Sequence, residues 1–453
     1  MISPGHPASR SPIPPRIAKV GLLAGGLLGL GWLGTVLTTP AQPPGVFAQY
    51  GGNAAHNPIV PGTVGTWHTS VAGRGVFEAA YDPATQQIFV DTMTTHRGWL
   101  YALNAQTGHI EWRWHAPNQL MATPILNSAG TVVYLGWGNG TMSDVSPHSV
   151  GNAFEVRGSG ASGVAAFNAR TGHILWHHTT QGAVMPTLTY YHGAVYVGTG
   201  HRYFDGWNAT TGQSMVHQWI AGFDSMSATP VTASGIAIVP AMAPASIWGI
   251  AVPSGHIQWV TANPVWTGGI TDTNPLIQGQ VAWLSTLTTP LSQPSVPIGA
   301  RVTVTALEIN TRTGRVLRQI ALGQGRRPIH TETGNYTAAD GHLYLTSPVT
   351  DTLYALNPAT GRVMWEFQPG TPIRAGVLVW HGHCYVPTGQ TLWVLNAQTG
   401  TIQGQKSWGS SVQFGIDSPI LVGHHLILVV PSPHTSVVAS VPLAANGLPP
   451  ASS

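Results

Sequence analysis

The sequence predicts an all-β chain, an eight-bladed β-propeller of four-stranded antiparallel blades preceded by one N-terminal hydrophobic helix. Three observations carry this expectation. Charged residues make up only 7% of the 453 positions, while Gly (55) and Pro (36) are abundant, a composition suited to many short strands joined by tight turns. One hairpin signature recurs seven times, with glycines at 108, 172, 212, 255, 314, 361 and 400. Between these hairpins a second strand pair recurs, opening near Pro124, Pro186, Pro230, Pro275 and Pro419.

The hairpin reads Leu100-Tyr101-Ala102-Leu103-Asn104-Ala105-Gln106-Thr107-Gly108 and runs on to Trp112. An alternating apolar strand meets a turn in which Asn bonds its own backbone and Gly takes the positive-φ position; a second strand follows. Asn stands four residues before six of the seven glycines, and Thr precedes six of them. Trp112, Trp176, Trp259 and Trp365, each four residues past a glycine, offer flat rings to wedge against a neighbouring sheet. Strands such as Val132-Val133-Tyr134 and Val195-Tyr196-Val197 supply the apolar centre of each unit. Phe77 to Tyr81 opens the first unit and Val437 to Val441 reads as the outer strand of the eighth. Eight such units close a ring and remove open sheet edges.

Composition limits the function classes. The net charge of +3 comes from thinly scattered residues, so no basic stripe exists for nucleic acid. The single cysteine, Cys384, excludes an intrachain disulfide framework and a Cys-rich zinc site. His381-Gly382-His383-Cys384 aligns with His192-Gly193-Ala194-Val195, which puts Cys384 in a strand core and His383 at a turn edge rather than in a metal cluster. Sparse charge beside 21 histidines fits a surface that meets strong acid, where carboxylates neutralise and histidines ionise. It also fits a secreted β protein with a Thr, Gly and Asn surface.

Ahead of the repeats, residues 1–19 form a Pro-rich tail carrying Arg10, Arg16 and Lys19. Residues 20–37 are uncharged and long enough to approach one bilayer crossing, as a signal anchor or as a signal peptide cut after Ala48. Either way the positive flank stays inside and the remainder is exported, membrane-anchored and facing the periplasm or cell exterior, or secreted. A linker over 38–48, the propeller over 49–445 and a tail over 446–453 complete the expected organisation.

Ala102, Asn104, Thr107, Gly108 and Trp112, with their equivalents, closely resemble the tryptophan-docking repeat of pyrroloquinoline-quinone-type propellers. Gln49-Tyr50-Gly51-Gly52-Asn53 through Asn57 resembles the segment those proteins carry before their first blade. The resemblance implies the fold over residues 49 to 445. It brings three activities into view: quinoprotein dehydrogenases, the propeller lipoprotein of outer-membrane protein assembly, and tetrathionate hydrolases of acidophiles. Family copies usually place Asp where this chain has Asn, an amide that keeps its acceptor where a carboxylate would protonate.

Two units are stretched by about twenty residues, near 138–163 and 285–300, both between second and third strands and so on the face that carries the links between blades. Those links, just before each inner strand, should line the funnel mouth. Glu78, Asp224, Asp272, Glu332 and Asp417 fall there, a third of all acids, together with Arg374 and His330. Asp272 and Glu332 are the expected catalytic acids, Asp272 as general base on water. Arg374, His330, Glu78, Asp224 and Asp417 are the expected ligand contacts, with Arg374 and protonated His330 holding an anion.

Three functions follow. The first is an exported or tethered scaffold that binds a protein partner or a small anionic ligand at the funnel face. It lacks the lipid-accepting cysteine of the assembly lipoprotein, since Cys384 lies deep in the ring. The second is a tetrathionate-hydrolase-like enzyme acting on a sulfur oxyanion. The third, a quinoprotein dehydrogenase, generally carries an adjacent Cys pair that this sequence lacks, and no set of calcium ligands can be assigned; no cofactor is expected, with pyrroloquinoline quinone and calcium left open but unsupported by the sequence.

Overall fold

The computed structural model describes residues 47–75, 77–144, 155–222, 224, 226–242, 244–289, 297–328, 333–416 and 418–444. The expected tail over 1–19, the apolar segment 20–37, nearly all of the linker and the C-terminal tail lie outside these residues. Among the described residues there is no helix long and apolar enough to cross a membrane.

Eight antiparallel blades are present. Blade 1 is built from Ala80–Asp82, Gln87–Met93, Gly98–Asn104 and Ile110–Ala116, in that spatial order. Blades 2, 3, 5, 6 and 7 repeat the order. In blade 4 three strands are formed, and the innermost position is reduced to a single bridge between Val231 and Ala237. The middle strands are buried throughout, whereas outer strands such as Val316–Arg326 alternate between half-buried and exposed residues. That is the burial expected of a sheet packed between neighbours with one wet rim.

Blade 8 departs from the sequence expectation. Thr435–Pro442, which contains Val437 to Val441, is its third strand, and Trp67–Ala72 supplies the fourth, with Trp67 opposite Ser440. The two ends of the propeller thus share one sheet. A weakly alternating Trp-His-Thr-Ser-Val segment more than 350 residues away carries no local sign of that pairing. The second insertion is also shorter than expected, because 285–288 belongs to the long strand Val281–Thr288.

Indole docking joins blade to blade. In the Asn104 turn, the side-chain oxygen accepts the N–H groups of Gln106 (3.0 Å) and Thr107 (3.1 Å), while Gly108 sits at φ 70°. The Trp67 ring lies over Gly108, and its Nε1–H donates to the Ala105 carbonyl at 2.8 Å. Trp112 over Gly172, Trp176 over Gly212, Trp259 over Gly314 and Trp365 over Gly400 repeat the contact, donating to Ala169, Ala209, Thr311 and Ala397. At Gly361 the indole is replaced by Arg318, whose guanidinium donates to the Pro358 and Ala359 carbonyls and pairs with Glu308 at 3.0 Å.

The segment before the ring crosses its axis. Inner strands face the axis with unsatisfied backbone groups. Leu126 of blade 2 donates to Phe47, Tyr190 of blade 3 to Ala48, Ala338 of blade 6 to Ala55 and Leu421 of blade 8 to Pro58. Asn57 exchanges two hydrogen bonds with Val379 of blade 7, both at 2.9 Å. Buried His56 contacts the Tyr336 carbonyl at 3.2 Å, and desolvation lowers its pKa to about 4. Glu78 accepts the Gly51 N–H at 2.7 Å, and burial pushes its pKa up to about 8. Asp91, also sealed, is raised to about 8 by desolvation.

Gly172→Ala should destabilise by roughly 2–4 kcal/mol, because a Cβ would meet the Trp112 ring at 2.6 Å as well as a left-handed backbone. Gly193→Ala, at φ 80° with nothing within 4 Å, should cost only the backbone part, about 1 kcal/mol. Denaturant melts of the pair read the difference. The buried acids set a pH dependence. Folded Glu78 and Asp91 bind a proton more tightly than when unfolded, so their stabilisation is complete below the ordinary carboxylate range and is lost as pH rises to about 8. His56 acts oppositely, its contribution present above 6.5 and lost as pH falls to about 4. Two acids outweigh one imidazole. Tm should therefore fall between pH 5 and pH 8.5, and Glu78→Gln should flatten that fall.

Candidate functional site

The links just inside each blade form a belt around the axis. Ala228 donates to Asn274 Oδ1 (2.7 Å), Asn274 Nδ2 to Asn335 Oδ1 (2.7 Å), and Asn335 Nδ2 to the Arg374 carbonyl (3.0 Å). Gly376 then donates to Ser418 Oγ (3.0 Å), which also contacts the Tyr50 hydroxyl of the lead-in segment at 3.3 Å. Buried amides joined this way fix the level of every link from blade 4 to blade 8.

Asp272 rises from this belt. Its loop turns at Gly269 (φ 76°), with the Asp272 N–H on the Gly269 carbonyl at 3.1 Å. Met226 of the preceding link donates to Thr271 (2.9 Å), and Thr333 of the following link donates to Gly269 (3.1 Å), so the loop is held from both sides. Half-buried Asp272 and Arg374 line one axial pocket together with Tyr50, Asn274 and Asn335. About 20 Å³ of free space lies within it, room for roughly one water molecule.

Two arginines reach toward Asp272, one from the first insertion and one from the link that follows blade 5. In the first, Glu155–Arg157 pairs with Met142–Asp144 as a hairpin. The backbone of Arg157 is then stitched to blade 3, donating to Gly200 and accepting from Ala183, each at 2.9 Å. Its Nε is sealed from solvent, and its guanidinium interacts electrostatically with Asp272 and Asp224. Arg327, just past the outer strand of blade 5, exchanges backbone bonds with Gly299 and Ala300 at the base of the second insertion, and its guanidinium interacts with Asp272. Burial pulls both guanidinium pKa values down from their ordinary range and the carboxylates oppose that pull.

Of the residues expected at the funnel, Asp272 and Arg374 meet in one pocket. Glu78 is instead turned into the protein against Gly51, and Asp224 is fully buried against Gly198. Glu332, His330 and Asp417 lie outside the described residues. Arg157 escaped the sequence reading because it lies in an insertion, and Arg327 because the reading chose His330 and Glu332 from the same link. The usable signal was their place in or beside the two insertions of a chain with so few charges. Cys384 is fully buried in His383–Thr388, burial raises its thiol pKa, and His383 contacts Gln403 at 2.6 Å.

Comparison with known proteins bears on this geometry. The family profile described as outer membrane protein assembly factor BamB matches residues 160–332 and 300–444. Tetrathionate hydrolase of Acidithiobacillus ferrooxidans is 29% identical over 335 residues, 71% of this chain and 65% of that protein. Tetrathionate hydrolase of Acidianus ambivalens is 26% identical over 362 residues, again 65% of its own length, so the chain spans just under two thirds of either relative. The crystal structure of quinohemoprotein alcohol dehydrogenase from Comamonas testosteroni superposes with a TM-score of 0.61 at 12% identity, covering 87% of this chain and 80% of that one, a likeness of fold. With the repeat, the docked indoles and the profile in agreement, this chain belongs to the pyrroloquinoline-quinone-type repeat β-propeller family.

Proposed function

We propose that this chain is an exported hydrolase of sulfur oxyanions, acting on tetrathionate or a close polythionate in an acidic exterior. The observation that carries the reading is Asp272 beside a water-sized space it lines with Arg374, with the guanidiniums of Arg157 and Arg327 interacting with its carboxylate. The two tetrathionate hydrolases among its relatives support it. So do two buried carboxyls held toward their neutral forms, which favour a fold stable in acid.

In this scheme Asp272 takes a proton from the water while its oxygen attacks a terminal sulfonate sulfur. A sulfur–oxygen bond forms and the adjacent sulfur–sulfur bond breaks, its electron pair leaving with the sulfane sulfur. Sulfate and a three-sulfur sulfonate result, and the protons of the water end on Asp272 and the solvent. The guanidiniums hold the sulfonate oxygens and offset charge on the leaving group.

A second reading, a protein-binding scaffold, is favoured by the assembly-factor profile alone. One experiment separates them. Purified chain incubated with tetrathionate at pH 3 should consume it and release sulfate. Asp272→Asn should lower kcat about 10²–10⁴-fold, and Arg374→Gln should raise KM. Folded protein that leaves tetrathionate intact refutes the hydrolase and leaves the scaffold, whereas full activity in Asp272→Asn refutes Asp272 as the base.

A further inference from the structure

The third and fourth strands of blade 5, Arg301–Asn310 and Val316–Arg326, run ten and eleven residues, and their extension stands on the face that carries the links. At that end Arg301 and Arg326 lie directly opposite each other across the antiparallel pair, and both are exposed. Side chains so placed are about 5 Å apart at Cβ, and like charges there are destabilising. Neither arginine forms an ion pair among the described residues. The insertion over 289–300 contains no charged residue to relieve them.

Neutral acceptors hold the two guanidiniums in place instead. Arg301 Nε donates to Gln324 Oε1 at 2.7 Å, and Gln324 Nε2 donates to Thr303 Oγ1 at 3.4 Å. Arg326 Nη1 donates to the Gly299 carbonyl at 3.2 Å, and Gly299 is itself anchored by its N–H on the Arg327 carbonyl at 2.9 Å. Each bond uses one nitrogen of a fork and leaves the other N–H groups facing solvent. Exposed Arg326 is followed by half-buried Arg327, whose guanidinium interacts with Asp272, so consecutive residues serve the outside and the pocket. Exposed Arg74 and Arg97 add positive charge to the same face. Among the described side chains the acids reaching solvent there are Asp272 and Asp351, both half-buried.

From this arrangement we infer that Arg301 and Arg326 form an outer capture site for a small doubly charged oxyanion of the sulfate or sulfonate class, which lands there before reaching the pocket of Asp272 and Arg374. The pair stands on its own geometry; that its natural ligand is the substrate rests on the sulfur-oxyanion reading above. Two guanidiniums match two negative charges, and their forks suit the oxygens of a sulfonate. An anion between them removes the like-charge contact that the bare strands must bear. Guanidiniums keep their charge at every working pH, so the site serves in acid and at neutrality alike. A face this short of acids also draws anions from a distance and raises their rate of arrival.

Selenate, an anomalous scatterer with the shape and charge of sulfate, probes the pair directly. Crystals of the full chain soaked at pH 4.5 and at pH 7.5 should both show a peak between the two guanidiniums, lost in the double variant Arg301→Gln/Arg326→Gln. With tetrathionate at pH 3, that variant should lower kcat/KM about five- to tenfold at low ionic strength while kcat holds, since capture precedes chemistry. In about 0.5 M salt the gap should shrink below about twofold, because exposed charges are screened. Its Tm without anion should be no lower than that of the parent, the like-charge contact being gone, which separates lost capture from lost fold. A selenate peak on protein that leaves tetrathionate intact refutes the hydrolase and keeps the pair. No peak between the guanidiniums, or an active double variant with unchanged kcat/KM and salt dependence, overturns the capture site.

Discussion

Five of the blade junctions rest on one contact, an indole of one blade lying where the next blade has a turn glycine. It works because three requirements meet at one spot. Glycine supplies the positive φ of the turn, its missing Cβ makes room for the ring, and the carbonyl one residue past the turn asparagine accepts the indole N–H. Each tryptophan therefore satisfies a donor, fills a void and fixes the angle between two sheets at once. Where the indole is absent the socket is filled in two ways, by Arg318 at Gly361, which donates to carbonyls and pairs with Glu308, and by Val216 at Gly255.

Closure imposes the second constraint. A ring of sheets leaves inner edges facing the axis, and the segment over 47–58 answers them by giving carbonyls to blades 2, 3, 6 and 8. Having crossed the axis, it sets Tyr50 in the lining of the pocket with Asp272 and Arg374. Satisfaction of backbone groups and construction of the site are here one event. The same crossing explains the fate of Glu78, which is spent holding Gly51 rather than facing the funnel.

Much of the fold was legible because its signals are local. Asn104, Thr107, Gly108 and Trp112 lie within nine residues of one another and recur, so the turn chemistry and the docking ring can be read without coordinates. The level of Asp272 and Arg374 in the ring was legible for the same reason, since both precede an inner strand of a recognised unit. Arg157 was not, because an insertion has no period to place it. Nor was the His217–Asp205 hydrogen bond, whose partners sit opposite each other on adjacent strands of an ordinary hairpin.

What the sequence determined by itself was the repeat, the number of units and the identity of the turns, since strand alternation and turn preference act over a few residues. Tertiary structure alone decided which carboxylates face the axis and which are buried, where the guanidiniums of Arg157 and Arg327 arrive, and how the Trp67 strand completes the last blade. Burial and charge pairing are set by residues hundreds of positions apart, and those distances close only when the ring does.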